Sequence, residues 1–245
     1  MVSSIGSYST AQTGNAVAFK AASATELVSD ASKNQGASGT QGGGTLTIST
    51  LASQLADSAS RAEARDKMLS RSELADKANS LLDQILGDAY QANKAKYNNE
   101  VPKTDDPELL ARAKQATEFV TSSDRGSRSV KNPFGSLSRE QLSNIIYDDS
   151  GNYTINERRA AYYESADREQ AWRAKVAAQA MDEYNRTGKM TNFFSSVLDH
   201  FKELPTIEQA QYPKDYASDL ESKISRDFNY RTHQAEGKSE NPMNL

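Results

Sequence analysis

Asp148-Asp149-Ser150-Gly151-Asn152-Tyr153-Thr154-Ile155-Asn156-Glu157 decides how this chain is read. Oxygen-bearing side chains stand at positions 148, 150, 152 and 154, and a glutamate closes the series at 157. Asp149 to Asn152 has the composition of a turn. Thr154-Ile155-Asn156-Glu157 spells a capping box, in which the hydroxyl of the first residue and the carboxylate of the fourth satisfy amides that open a helix. Just upstream, Ser138-Arg139-Glu140-Gln141 spells a second box, followed by Leu142, Ile145 and Ile146 at helical spacing. The stretch is therefore expected to be helix, acidic loop, helix.

Helical periodicity continues outward in both directions. Downstream, Ile155, Tyr162, Tyr163, Ala166, Trp172, Val176, Ala177, Ala180 and Tyr184 mark a long tract, with a break expected near 165–167 and a stop at Gly188. Thr191 is the expected cap of the next helix, whose Phe193, Phe194, Val197, Leu198 and Phe201 give an aromatic face. Tyr216, Leu220, Ile224 and Phe228 mark the last helix. Upstream, Leu51, Leu55, Ala59, Ala62 and Leu69 form one stripe after a candidate cap at Ser49. Ser70-Arg71-Ser72-Glu73 opens another helix with a possible break at Gly87, and Asp106-Pro107-Glu108 opens a third. The expected fold is all-α: a helical hairpin or bundle over 48–120, a polar linker over 121–136, and a second helical unit over 137–231 containing the loop. Residues 1–47, rich in Ser, Thr, Gly, Ala, Asn and Gln, read as a disordered leader, and 232–245 as a disordered tail.

Composition narrows function. A net charge of −4 gives no basic face for phosphates, so nucleic acid is not expected. No apolar run is long enough for a membrane span or a signal-peptide core. With no cysteine and two histidines, thiolate chemistry and multi-histidine metal sites are excluded, leaving hard cations and oxygen ligands. No Gly-x-Ser-x-Gly elbow or phosphate-binding glycine loop occurs, and the paired carboxylates fit helix starts and turns, so no enzyme activity is expected. The arginines Arg158, Arg159, Arg168 and Arg173 read as the solvated side of their helix, and His200 as a surface residue near a helix end.

Three resemblances bear on function. The loop resembles contracted EF-hand-like loops of bacterial extracellular calcium modules. That resemblance implies Asp148, Ser150, Asn152, the Thr154 carbonyl and Glu157 as ligands of weakly bound calcium. The glycine at 151 and Tyr153 where glycine is expected depart from the EF-hand pattern, and a capped turn without an ion explains Thr154 and Glu157 equally well. Ser3, Ser4, Ser7 and Ser9, with no acidic residue before Glu26, resemble the leader of type III secreted bacterial proteins. The block 132–164 resembles one in bacterial proteins with Ser-rich leaders. Together they imply an exported, effector-like protein-interaction module, secreted without a classical signal peptide, whose leader contacts export machinery or a chaperone. The alternative is an intracellular helical adaptor or chaperone-like protein without a metal site.

Overall fold

The computed structural model describes residues 50–127 and 129–237. The expected leader, the cap at Ser49 and the end of the expected tail lie outside those residues. Nine helices occur among the described residues: α1 (Thr50–Met68), α2 (Arg71–Leu86), α3 (Asp88–Tyr97), α4 (Pro107–Asp124), α5 (Arg139–Ile146), α6 (Ile155–Thr187), α7 (Thr191–Lys202), α8 (Thr206–Gln209) and α9 (Tyr216–Arg226). The fold is all-α, as its periodicity predicts.

The capping boxes form as spelled. Ser70 and Glu73 open α2, Ser138 and Gln141 open α5, and Thr154 and Glu157 open α6, each by reciprocal side-chain and backbone bonds. Asp106 caps α4 through the amides of Glu108 and Leu109, with Pro107 at the first helical position. Gly87 separates α2 from α3. Thr191 is not a cap. Its hydroxyl donates to Asp227, and the amides of Asn192 and Phe193 are satisfied instead by the two carboxylate oxygens of Glu183, at 2.9 and 3.0 Å.

One apolar core joins the helices on both sides of 121–136. Leu55 of α1, Leu74, Ala78, Leu81 and Ile85 of α2, Tyr90 of α3 and Val120 of α4 pack with Leu142, Ile145 and Ile146 of α5 and Ile207 of α8. Phe134, in the polar stretch read as a linker, is fully buried in the same core. Helix α4 also runs on through 121–124. The start of α6 passes through this core at Ala160 and Ala161.

Helix α6 does not break near 165–167 but continues for 33 residues. Its distal half carries Val176 and Ala180 on the side facing α7, where Leu198, Phe201 and, from α9, Leu220 are also buried. Phe201 packs edge-on against Tyr212 and Tyr216 at 5.3 and 5.1 Å. Gly188 ends α6 at φ 78°, where a side chain would be strained and would strike Asn229 Oδ1. Its carbonyl accepts from the Tyr230 amide at 2.7 Å, which starts a short antiparallel pairing of β1 (Phe228–Asn229) with β2 (Gln234–Ala235). So Phe228 lies outside the last helix, and Gln234–Ala235 of the expected tail form the second strand of the pair.

His200 is not a free surface residue. Its ring stacks on Trp172 at 3.6 Å, and its Nε2 bonds Glu169 Oε2 at 2.8 Å. Glu169 also accepts from Arg173 at 2.9 Å and Arg139 at 3.2 Å, tying α5, α6 and α7 together. Burial alone would raise the Glu169 pKa, but the bonds from His200, Arg173 and Arg139 outweigh it and hold the group down at about 2. A depressed carboxylate pKa contributes stability that is present above its ordinary value of 4.5 and lost as pH falls toward 2. Unfolding free energy should therefore drop across that window, and Glu169→Gln should flatten the drop. An unchanged pH profile in the variant would refute the assignment.

Candidate functional site

The ten-residue loop is built on two carboxylates, each bound by an arginine from another helix. Asp148 is 7% exposed. Its Oδ2 accepts from Arg61 of α1, with Nη2 at 2.6 Å and Nε at 3.2 Å. Its Oδ1 accepts from the Ser150 amide at 2.8 Å and from the Ser150 hydroxyl. Burial pushes the Asp148 pKa up, but Ser150 and Arg61 together hold it below the ordinary value, so the group is ionised at neutral pH.

Glu157 is fully buried. Its Oε1 accepts from Arg112 Nε of α4 at 2.7 Å and lies 2.7 Å from Arg112 Nη2. Its Oε2 closes the capping box, accepting from the Thr154 amide at 2.8 Å and hydroxyl at 3.0 Å. Arg112 Nη2 also donates to Gln54 of α1, whose own amide nitrogen donates to the Asn152 carbonyl at 2.8 Å. The Thr154 carbonyl accepts the first helical bond from Arg158. Tyr153, where a calcium loop would need glycine, is buried beneath Arg112, and Ser58 donates to its hydroxyl at 3.3 Å. Burial pushes the Tyr153 phenol up to about 12.

Of the five residues the calcium resemblance named, Asp148 and Ser150 are thus brought together, while Glu157 faces another arginine and Asn152 contributes its backbone to Gln54. A calcium ion needs six to eight oxygens with room between them. Both carboxylates here are already paired with guanidinium groups. The donor set does not fit the ion without displacing Arg61 and Arg112.

Sequence reasoning missed the next turn. Asn156, Glu157, Arg158 and Arg159, four polar residues in a row, are all buried. Asn156 accepts from the Tyr90 hydroxyl at 2.9 Å and donates to the Tyr97 carbonyl, Asn98 and Thr117. Arg158 is 4% exposed, not solvated. It donates to the Leu81 carbonyl at 3.0 Å, the Ile146 carbonyl at 2.9 Å and Gln84 at 3.0 Å. Arg159 donates to the Ile85 carbonyl and, at 3.1 Å, to Asp124, with its guanidinium 4.0 Å from the Tyr90 ring centroid. The Ile85 and Ile146 carbonyls lie in the last turns of α2 and α5, where helices leave acceptors unpaired and partial negative charge accumulates, whereas the Leu81 carbonyl lies one turn further in and keeps its helical bond as well. Two adjacent arginines from one helix start thereby cap the ends of two others. The only local signal was the box itself, which shows where α6 begins and so places 156–159 against whatever the loop folds onto.

Beside the loop a cleft of about 510 Å³ opens, lined among others by Arg61, Arg65, Leu69, Lys77, Tyr147 and Asp149. Two ion pairs lie on its wall, Lys77 with Asp149 and Arg61 with Asp148. Two acids on its wall, Glu73 and Asp148, are held below their ordinary values, Glu73 by the Ser70 hydroxyl and amide. Among the described residues no helix is long and apolar enough to cross a membrane. No protein-family model, curated protein or solved structure matches the chain.

Proposed function

We propose that the chain is a helical protein-interaction module that docks through the uncovered side of the distal half of α6. One observation carries this reading. Over residues 170–187 the helix is covered along a single strip, Trp172, Val176, Ala180 and Glu183, while Met181, on the opposite side, is 68% exposed and Tyr184, at the edge of the strip beside Arg231, is 40% exposed. Exposed methionine and tyrosine on a rigid helix are the residue types that anchor protein interfaces. A photoreactive amino acid in place of Met181 should form adducts with a discrete protein in the producing or receiving cell, and one in place of the exposed Lys214 should not. Absence of adducts at 181 would overturn the assignment of this face.

Export from a bacterial cell is the setting we propose, supported by the Ser-rich opening residues and by the lack of cysteine. A fusion lacking residues 1–47 should lose export through a type III apparatus. Unchanged export would defeat the leader assignment, and no export of the full chain would move the module to the intracellular adaptor role.

For the loop, the geometry supports a charge-paired turn that locks α1, α4 and α6 together. Thermal melts in chelator and in millimolar calcium should coincide, whereas Asp148→Ala should lower the melting temperature equally in both. A calcium-dependent rise in the wild type alone would restore the metal reading.

A further inference from the structure

The uncovered face of α6 carries a pattern that selects an occupant. Ala171, Ala174, Ala178, Met181 and Asn185 follow one another at spacings of three, four, three and four, all exposed. That is the seam spacing of a two-heptad coiled coil, with Lys175 and Asp182 on one flank and Ala177 and Tyr184 on the other. The covered residues Val176 and Glu183 fall on the opposite side, so the seam points away from the rest of the protein.

From this arrangement, and resting on the interaction reading above, we propose that the partner is a second copy of the chain, paired antiparallel along α6. Antiparallel pairing about a two-fold axis between residues 179 and 180 sets Met181 against Ala178 of the second copy, and Asn185 against Ala174. The layers formed by Ala174, Ala178, Met181 and Asn185 each pair a longer side chain with an alanine, which lets the helices approach closely, while Ala171 falls opposite the helix end at Gly188. On one flank the same axis sets Lys175 opposite Asp182, twice by symmetry. On the other it sets Tyr184 over Ala177, again twice. A parallel pair would place Lys175 beside Gln170 and leave the charges unmatched, so the flanking ions specify the antiparallel direction. The interface is isologous, as a two-fold dimer requires.

Among the described residues Asp182 is engaged only by Arg186 one turn along, at 3.1 Å and exposed. Lys175 makes no ion pair among the described residues. Two heptads bury little area, so the dimer is weak and concentration-dependent.

Sedimentation equilibrium of the full chain up to about 300 µM should show monomer and dimer in exchange. Ala178→Glu places two carboxylates in the central layers and should abolish the dimer. Asp182→Lys turns both flanking attractions into repulsions and should weaken association at least about tenfold. The double variant Lys175→Asp/Asp182→Lys should restore it. All these positions are exposed, and coincident thermal melts would confirm that the fold is retained. A monomeric wild type at the highest concentration overturns the proposal, as does association that survives Ala178→Glu or a double variant that fails to recover. A monomer that still gives adducts at position 181 would leave the interaction reading standing with a different occupant, so the two failures are distinguishable.

Discussion

Glu157→Ala should lower the stability of the helical unit by about 3–5 kcal/mol, because it strands the buried Arg112 guanidinium without its counter-charge. The same substitution removes the carboxylate half of the α6 capping box, so the Thr154 amide loses its acceptor. For a unit of this size each kcal/mol corresponds to roughly 2–4 °C, and a fall in melting temperature on the order of 10 °C is expected. Glu157→Gln should fall between wild type and alanine, since an amide oxygen can still accept from Thr154 while the charge is gone. Circular-dichroism melts with denaturant titrations would measure both. A loss of under about 1 kcal/mol in the alanine variant would mean that water reaches Arg112, and that the pair is not closed as its distances imply.

Arg158→Met should also be damaging, at about 1–3 kcal/mol. Methionine fills much of the same path between α2 and α5 but leaves the Ile146 carbonyl buried without a donor, and such an orphan costs roughly 1–3 kcal/mol, while the Leu81 carbonyl loses only its second bond. Arg173→Met is the matched control. Arg173 sits on the same helix with its side chain 61% exposed and pairs with Glu169 one turn away. Its replacement should change stability by no more than about 0.5 kcal/mol. Equal effects at the two positions would refute the capping role of Arg158.

Those two arginines show where local reading stops. In sequence, Arg158, Arg159, Arg168 and Arg173 all lie on one helical tract among polar residues, and a solvated side is the natural inference. Burial separates them because α6 changes surroundings along its length: its first turns pass between α2, α4 and α5, while its later turns meet α7 and, at their end, Asn229 and Arg231. No periodicity within α6 encodes that change. His200 was misread for the same reason, since the residues that enclose it, Trp172, Glu169 and Arg139, come from 28 to 61 positions earlier.

The acidic loop divides in the same way. Its beginning and end were legible because turn residues and capping boxes act between groups at most three positions apart, as the Thr154 and Glu157 bonds show. The occupants of its carboxylates were not legible. Arg61 is 87 residues away and Arg112 is 45, and oxygens spaced for a cation read the same whether the positive charge is calcium or a guanidinium.

By itself, then, the sequence determined the all-α class, most helix starts and the stop at Gly188, all of which depend on backbone geometry and hydrogen bonds within a turn or two. Tertiary structure alone decided that one core spans the polar stretch at 121–136, with Phe134 as its plug. It also decided that Asn156 to Arg159 are interior and that the later turns of α6 keep a free face. Those outcomes depend on which surfaces meet across long sequence separations, where desolvation and charge pairing are settled by distance in space rather than by order along the chain.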